Sequence, residues 1–485
     1  MNNFRKHRST AFTMIFIIVF TILLDFYVTL SKFRDQESFS KTMLSRIETS
    51  NLQLNVFSQG IFAKHEKVLV ASTNPPLRNK NLNSSIIFAS SRNSNQIKVF
   101  LWKNKELKLT SRHKLNAHHN ESKLLDSVDA SSYFIFDLLV INERLYVSSV
   151  LKHLEDKKCD EIRIITIDID AERERLYNER EFWKYPGCIK WKDEVEPSGN
   201  LSLRLTSNNK AIFMSVGLEQ VMPYTNIYPS DGLLDLPSSF ELSLLRYPIF
   251  GSLLKIPFLN RDPSEFEVVA KGLRSPQGLI FESRDDSSEI FWISDHGPRG
   301  GDELNRLILK DFSTDFGWPN VSFGTYYMDL EKDLSTVLPV KFGTHEGYAA
   351  PVFFWTPSIA PSQILSIPDA FPDISNQWEG GDLLLATLKD ESIHKLIIDD
   401  RGFVLSDERI FLGERIRDMD WLSGSVILGT DTGKIVIVTP KPLLKHSGPF
   451  PSFVIPPTMQ EVTIKSYIEL RFKALFVKIK SILGN

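Results

Sequence analysis

From Leu52 to Pro440 the chain runs as short apolar segments set off by turn residues, and hardly any stretch keeps helical periodicity over a dozen positions. "SSIIFAS" (84–90) leads into "QIKVFLW" (96–102), and "FDLLVIN" (136–142) into "RLYVSSV" (144–150). The pattern recurs with "LSLRLT" (201–206) and "AIFMSVG" (211–217), then with "GSLLKIPF" (251–258) and "FEVVAKG" (266–272). It closes with "GDLLLATL" (381–388), "IHKLIID" (393–399), "SVILGT" (425–430) and "GKIVIVT" (433–439). Strands that end at Gly or Asp and restart at Gly-Lys or Gly-Ser suit the hairpins of propeller blades. A pair of β-sandwiches could use the same strands, but even spacing with no helical insert favours an all-β propeller over 52–440, with long loops on its faces.

The two ends read differently. Arg5, Lys6 and Arg8 precede "TAFTMIFIIVFTILLDFYVTL" (10–30), whose one charge is Asp25. About twenty apolar residues span a bilayer as a helix, and "YVTLSKF" (27–33) offers no small-residue cleavage site. Residues 1–34 are therefore expected to be a cytoplasmic stub and single-pass signal-anchor, with 35–51 as linker and the body periplasmic or otherwise extracytoplasmic. A buried soluble helix is the alternative. Residues 441–485 form a linker and tail, in which Ile464, Ile468, Leu475, Ile479 and Ile482 recur at helical spacing among Lys465, Arg471, Lys473, Lys478 and Lys480. Such a basic amphipathic helix suits an anionic membrane surface or the propeller edge equally. The only cysteines, Cys159 and Cys188, bracket "EIRIITIDI" (161–169) and "REFWKYP" (180–186). A bond across the base of that hairpin is reasonable in an exported body, two free buried thiols being the other reading. A net charge of −3 gives no electrostatic case for nucleic acid.

Within the strand pattern one loop stands apart. "SDHGPRGGDELN" (294–305) packs Gly297, Pro298, Gly300 and Gly301 among Asp295, His296, Arg299, Asp302 and Glu303. Loops held by rigid flanks are where binding groups tend to sit. A two-part turn with solvated charges is the plainer reading.

Four further stretches accompany it: "KGLRSPQGL" (271–279), "DFGWPNVSFG" (315–324), "PVFFWTPSIAPS" (351–362), and "LATLKD" (385–390) followed by "GERIRDM" (413–419). Together with "HGPRGGDELN" they resemble, in order and spacing over about 250–440, the glucose/sorbosone dehydrogenase family. That family comprises PQQ-dependent aldose sugar dehydrogenases and soluble glucose dehydrogenase, which are six-bladed β-propellers. From 52 to 250 the resemblance is fainter, with "SGNLSLRLTSNNKAIFMSVGLE" (198–219) as its best anchor.

The resemblance implies a set of roles. PQQ is a flat quinone with three carboxylates. Arg415 and Arg417, two apart and so on one face of a strand, would hold it together with Lys389. Arg274 and Ser275 would line it, with Ser275 standing where the family has Asn. The carbonyls of Gly297 and Pro298 would hold a calcium ion on the cofactor. Asp302 and Glu303 match an acidic pair that binds a second, structural calcium, although Phe316 replaces a family tyrosine there. The family's base is a histidine in a His-x-Gly-Gly-Arg-Leu motif. Aligning Arg204 and Leu205 with its end puts Asn200 at that position, and Leu218 falls where Asp is usual. Asparagine is no base near neutrality, so the expectation is little aldose oxidation unless His296 or His345 substitutes. Two functions follow: an anchored quinoprotein that oxidises the anomeric hydroxyl of a sugar, or a non-catalytic propeller that binds a glycan, ligand or protein partner. Neither the electron acceptor nor the particular sugar is legible.

Overall fold

The structure, a computed structural model, describes residues 54–73, 84–116, 133–152, 160–187, 201–208, 210–217, 249–259, 262, 264–283, 288–309, 314–325, 341–368 and 380–440. They form an all-β, six-bladed propeller of antiparallel blades. Blade 1 is Val68–Ser72, Ser84–Ser91, Gln96–Lys103 and Glu106–Lys114; blade 2 is Tyr133–Ile141, Arg144–Lys152, Asp160–Asp170 and Arg175–Lys184. Blade 3 is Leu203–Ser207, Ala211–Val216, Ser252–Pro257 and Glu267–Lys271, with Thr314–Asp315 added in parallel. Blade 4 is Pro276–Ser283, Glu289–Asp295, Asp302–Ile308 and Phe353–Trp355; blade 5 is Pro361–Ser366, Leu383–Thr387, Ser392–Ile398 and Val404–Phe411. Blade 6 is Ile416–Leu422, Ser425–Thr430 and Lys434–Pro440, completed by Leu54–Gly60 from the start of the described chain. That strand pairs antiparallel with Lys434–Pro440, from Leu54 opposite Pro440 to Gly60 opposite Lys434, and so closes the ring. This pairing joins the first and last described strands in one blade, and each blade keeps only one short outer edge.

The first strand of each blade packs on the first strand of the next, all the way round. Apolar clusters fill every interface between consecutive blades. Blade 1 shows why its inner strand reads as an unbroken apolar run. Val68 and Val70 pack towards blade 6, while Leu69 and Ala71 pack towards blade 2. Alternate side chains face opposite ways, and here both faces are covered.

Four of the six inner strands slip register near the end where they begin: between Ile135 and Asp137, Pro276 and Gly278, Pro361 and Ile364, and Ile416 and Asp418. Such bulges re-aim side chains next to sites. They set Arg417 and its neighbour Asp418 to different tasks, described below.

The expected hairpin of the cysteine region is present: Asp160–Asp170 pairs with Arg175–Lys184, and Tyr185 N donates to Ile162 O at 2.9 Å. Cys159 and Cys188 themselves lie outside the described residues, as do 10–30, Asn200, Leu218 and the tail. Among the described residues no helix is long and apolar enough to cross a membrane.

Candidate functional site

In an antiparallel blade, the start of the first strand and the end of the second lie on the same side. This places Arg274, Ser275 and Arg415 (before first strands) with His296 and Lys389 (after second strands) around one mouth of the channel. Lys67, Arg92, Leu201 and Asp431 reach the same rim by the same rule.

Below the mouth, Arg204 of blade 3 crosses the axis. Its Nε donates to Gln277 O at 2.7 Å, its Nη1 to Asp137 at 2.9 Å and Asp418 at 2.8 Å, and its Nη2 to Arg417 O at 2.7 Å. The second oxygens of these carboxylates are also taken: Leu205 N donates to Asp137 at 2.7 Å, and Val70 N to Asp418 at 2.9 Å. The guanidinium thus ties its own blade 3 to blades 2, 4 and 6, and the Asp418 carboxylate carries the tie on to blade 1. Burial pushes Asp137 up to about 7, against Arg204's pull and with Asp418's charge adding to the rise.

At the rim, Arg417 donates through Nε and Nη2 to both oxygens of Asp431, each at 2.8 Å. Arg415 Nε reaches the same carboxylate at 3.4 Å, and its Nη1 donates to Leu388 O at 3.2 Å, beside the exposed Lys389. The two arginines do share a face. Burial opposes the charge on Asp431, but Arg417, then Arg415 and Lys67, hold its carboxyl below the ordinary range. Arg92 is buried, donates to Leu201 O and lies 4.3 Å from the centre of the Phe136 ring. Lys67, half-buried beside it, is held down to about 8 by burial and then by the charges of Arg417 and Arg92, with Asp431 pulling the other way. No motif marks Lys67, Arg92 or Asp431 in the sequence; only the hairpin map could have gathered them.

The glycine-rich loop is packed on itself. A Cβ at Gly297 would lie 2.3 Å from the carbonyl oxygens of Gly300 and Gly301, so only glycine fits. Arg299 and Thr325 exchange backbone hydrogen bonds at 2.9 and 3.0 Å. Asp302 is buried and accepts from Gly297 N at 3.0 Å, from Ile359 N and Ala360 N at 2.8 Å each, and from Ser358 Oγ. Glu303 meets His345 Nε2 at 2.9 Å and accepts from Asn305 Nδ2 at 3.2 Å. Arg274 Nη1 donates to the carbonyls of His296 and Gly297, at 2.9 Å each, and the guanidinium lies 5.3 Å from the Trp318 ring centre. Arg274 N and Ser275 N both donate to Asp295, whose carboxyl burial and the charge of Glu303 push up to about 7. Ser275 is buried, and its Oγ accepts from Gln277 Nε2 at 2.9 Å. His296, half-buried, donates from Nε2 to Pro361 O at 2.6 Å, whereas His345 is buried against Glu303.

These contacts test the two groups implied by the resemblance. A cationic rim of Arg415, Arg417 and Lys389, flanked by Arg274, fits a planar anion with several carboxylates. Three of the four calcium positions, Gly297, Asp302 and Glu303, do not fit. Asp302 has its oxygens filled by protein donors, Glu303 is paired, and the Gly297 carbonyl faces a guanidinium that would repel a second cation. Among the described residues no cluster of His, Cys, Asp and Glu could hold a metal ion.

Comparison with known proteins agrees with the architecture. Aldose sugar dehydrogenase YliI of Escherichia coli (strain K12) is 29% identical over 194 residues, which make up 38% of this chain and 47% of that protein. An uncharacterised protein of Synechocystis sp. is 36% identical over 164 residues, covering 34% of this chain and 36% of its own length. The matches thus span about half or less of either curated relative. The crystal structure of the soluble aldose sugar dehydrogenase from Escherichia coli, in its apo form, superposes with a TM-score of 0.53 at 19% identity, covering 80% of this chain and 100% of that one. A glucose dehydrogenase structure gives 0.53 at 17% identity, over 79% and 98%. Both likenesses show the six-bladed fold. Residues 250–437, the stretch that holds Arg274, Lys389, Arg415 and Arg417, match the profile of the Glucose / Sorbosone dehydrogenase family.

Proposed function

We propose that the protein is a membrane-anchored, extracytoplasmic quinoprotein of the sugar dehydrogenase type, binding PQQ over the mouth of its propeller and acting on the anomeric hydroxyl of an aldose. The single observation that carries this reading is the gathering of Arg274, Arg415, Arg417 and Lys389 on one rim by chain segments that match the family. When bound, PQQ supplies a hydride acceptor. The chain's own part would be to hold the cofactor's carboxylates through Arg415, Arg417 and Lys389, with Arg274 lining the same mouth. No metal step is derived, because Asp302, Glu303 and the Gly297 carbonyl already have protein partners.

The weak point of this chemistry is the base. Asn200 stands at the position of the family histidine and has no basic lone pair near neutrality. Its loss costs about 10²–10⁴-fold. His296 is the half-buried imidazole of the rim, but its Nε2 proton is committed to the Pro361 carbonyl. A second reading, a propeller that binds a sugar or glycan without turnover, therefore rests on Asn200.

The test uses the detergent-solubilised full chain. PQQ should give an absorbance that stays with the protein after gel filtration, and glucose with a panel of aldoses should reduce a dye acceptor slowly or not at all. An Asn200→His variant should gain rate. Loss of the PQQ absorbance on filtration sinks the cofactor reading, and brisk wild-type turnover sinks the missing base. For the location, protease added to intact spheroplasts should digest the body; a protected body refutes the anchored, exported topology.

A further inference from the structure

We infer that Lys67 and Arg92 are binding residues of this mouth, forming with Arg415 and Arg417 a four-cation cradle for a ligand that carries at least two carboxylates. The inference deepens the cofactor reading above, and neither residue belongs to a segment that suggested that reading.

The rim backbone fixes the pair. Arg92 N donates to Lys67 O at 2.9 Å, and Ile135 N donates to Arg92 O at 2.9 Å, which pins Arg92 between blades 1 and 2. Its guanidinium, stacked over the ring of the bulged Phe136, points across to Leu201 at the start of blade 3, beside the Asn200 position. Lys67 sits at the entrance of blade 1, next to blade 6, where Val70 N donates to the Asp418 carboxylate adjoining Arg417. Among the described residues, Lys67 Nζ has no hydrogen-bond acceptor.

The charges do not balance. Among the described residues, Lys67, Arg415 and Arg417 share one carboxylate, Asp431, which is already held bidentately by Arg417 and touched by Arg415. Removing cations from water without counter-charge is costly. The depressed ammonium of Lys67, caused first by burial and then by the charge of Arg417, fits that imbalance. A ligand with a single carboxylate would still leave the rim positive, so the chemistry selects a polycarboxylate. A carboxylated quinone and a free tricarboxylic acid share that chemistry.

Calorimetric titration of the full-length protein with PQQ, and separately with tricarballylate, tests the cradle. Lys67→Gln should weaken PQQ binding roughly tenfold, the loss of one charged hydrogen bond, and reduce its salt dependence. Lys67→Arg should restore it to within a few-fold. Arg92→Gln should weaken binding similarly, provided its melting curve shows a folded protein; Lys67→Gln, at a half-exposed position, serves if it does not. If PQQ binds and Lys67→Gln leaves affinity unchanged, this inference is overturned while the cofactor reading stands. If tricarballylate binds in a Lys67-dependent way and PQQ does not, the cradle stands and the cofactor reading fails. If neither probe binds the wild type, the cradle is refuted as well.

Discussion

The channel of this propeller has a waist and a mouth, and both are built from arginines. At the waist, each group that Arg204 offers meets an oxygen, and both of its carboxylate partners are filled from elsewhere in the ring. At the mouth, Lys67, Arg92, Arg415 and Arg417 share Asp431. The same residue type thus does opposite work at two levels of one channel. A cation whose donors are all met by protein is part of the frame. Cations left in excess invite an anion from outside. Arg417 belongs to both levels: its carbonyl accepts from Arg204, while its guanidinium faces the rim.

The largest test removes the waist. Arg204→Met leaves Asp137 and Asp418 buried without their cation, and breaking such a pair from one side costs about 3–5 kcal/mol. Urea denaturation should show that loss, whereas Arg415→Met, at an exposed position, should cost less than about 1 kcal/mol. Equal costs for the two variants would erase the distinction between frame and mouth.

His394 in blade 5 is a second fully paired group and should behave like the waist. Its Nδ1 meets Asp407 at 2.6 Å and its Nε2 meets Asp390 at 3.0 Å, while Trp355 Nε1 donates to Asp407 at 2.9 Å. Burial disfavours the imidazolium, but hydrogen bonds and charge from Asp390 and Asp407 raise its pKa above the ordinary value. A raised folded-state value means that this stabilisation is whole below about pH 6.5, the unfolded value, and is lost as pH climbs through the folded one. The urea midpoint of the wild type should fall over that interval. His394→Gln should be less stable at pH 6 by roughly 1–3 kcal/mol and lose that pH slope. A variant that keeps the slope would show that another group carries it.

How much of this was legible before the structure depends on where a residue's partner lies. The inner hairpins could be read because both faces of a blade are covered, so runs such as "FDLLVIN" (136–142) stay largely apolar. The outer strands Glu106–Lys114 and Val404–Phe411 escaped, since they present alternating exposed positions, such as Leu405, that no apolar run marks. The Arg415 and Arg417 pair was legible from spacing and resemblance alone. Arg204 was visible only as an alignment anchor, because Asp418 is 214 positions away in sequence. The acidic pair in "GGDELN" suggested metal, yet Asp302 caps the turn at Ile359 and Ala360, a contact no local pattern announces. Opposite strand ends can be placed by counting hairpins. Which charges are left in excess requires the closed ring.

At the mouth, Arg417→Ala removes a guanidinium that the cofactor reading needs. PQQ affinity should drop at least tenfold, since a charged hydrogen bond is worth ~1.5–3 kcal/mol. The Arg204 network should persist, because it uses only the Arg417 carbonyl. Titration of Arg415→Ala beside it gives the check: two variants with wild-type affinity would remove both arginines from the site.

The smallest effect is the sharpest, because it runs against the usual direction of a damaging substitution. Asp431 is the carboxylate set among the mouth's cations, so it competes with any anionic ligand for the fork of Arg417. Asp431→Asn keeps an acceptor oxygen and nearly the same volume, but removes the charge. If the mouth is a site in waiting, the variant should bind tricarballylate or PQQ more tightly, by about two- to fivefold at low salt. That gain should shrink as salt screens it over a Debye length of about 8–10 Å. Stability should fall slightly, because Arg417 loses a bidentate partner and the positive rim repels itself. The opposite result is equally informative. If Asp431→Asn binds either probe more weakly, the carboxylate serves to hold Arg417 in a binding-ready pose, as preorganised sites require. The charges at the mouth would then count as frame, like those at the waist.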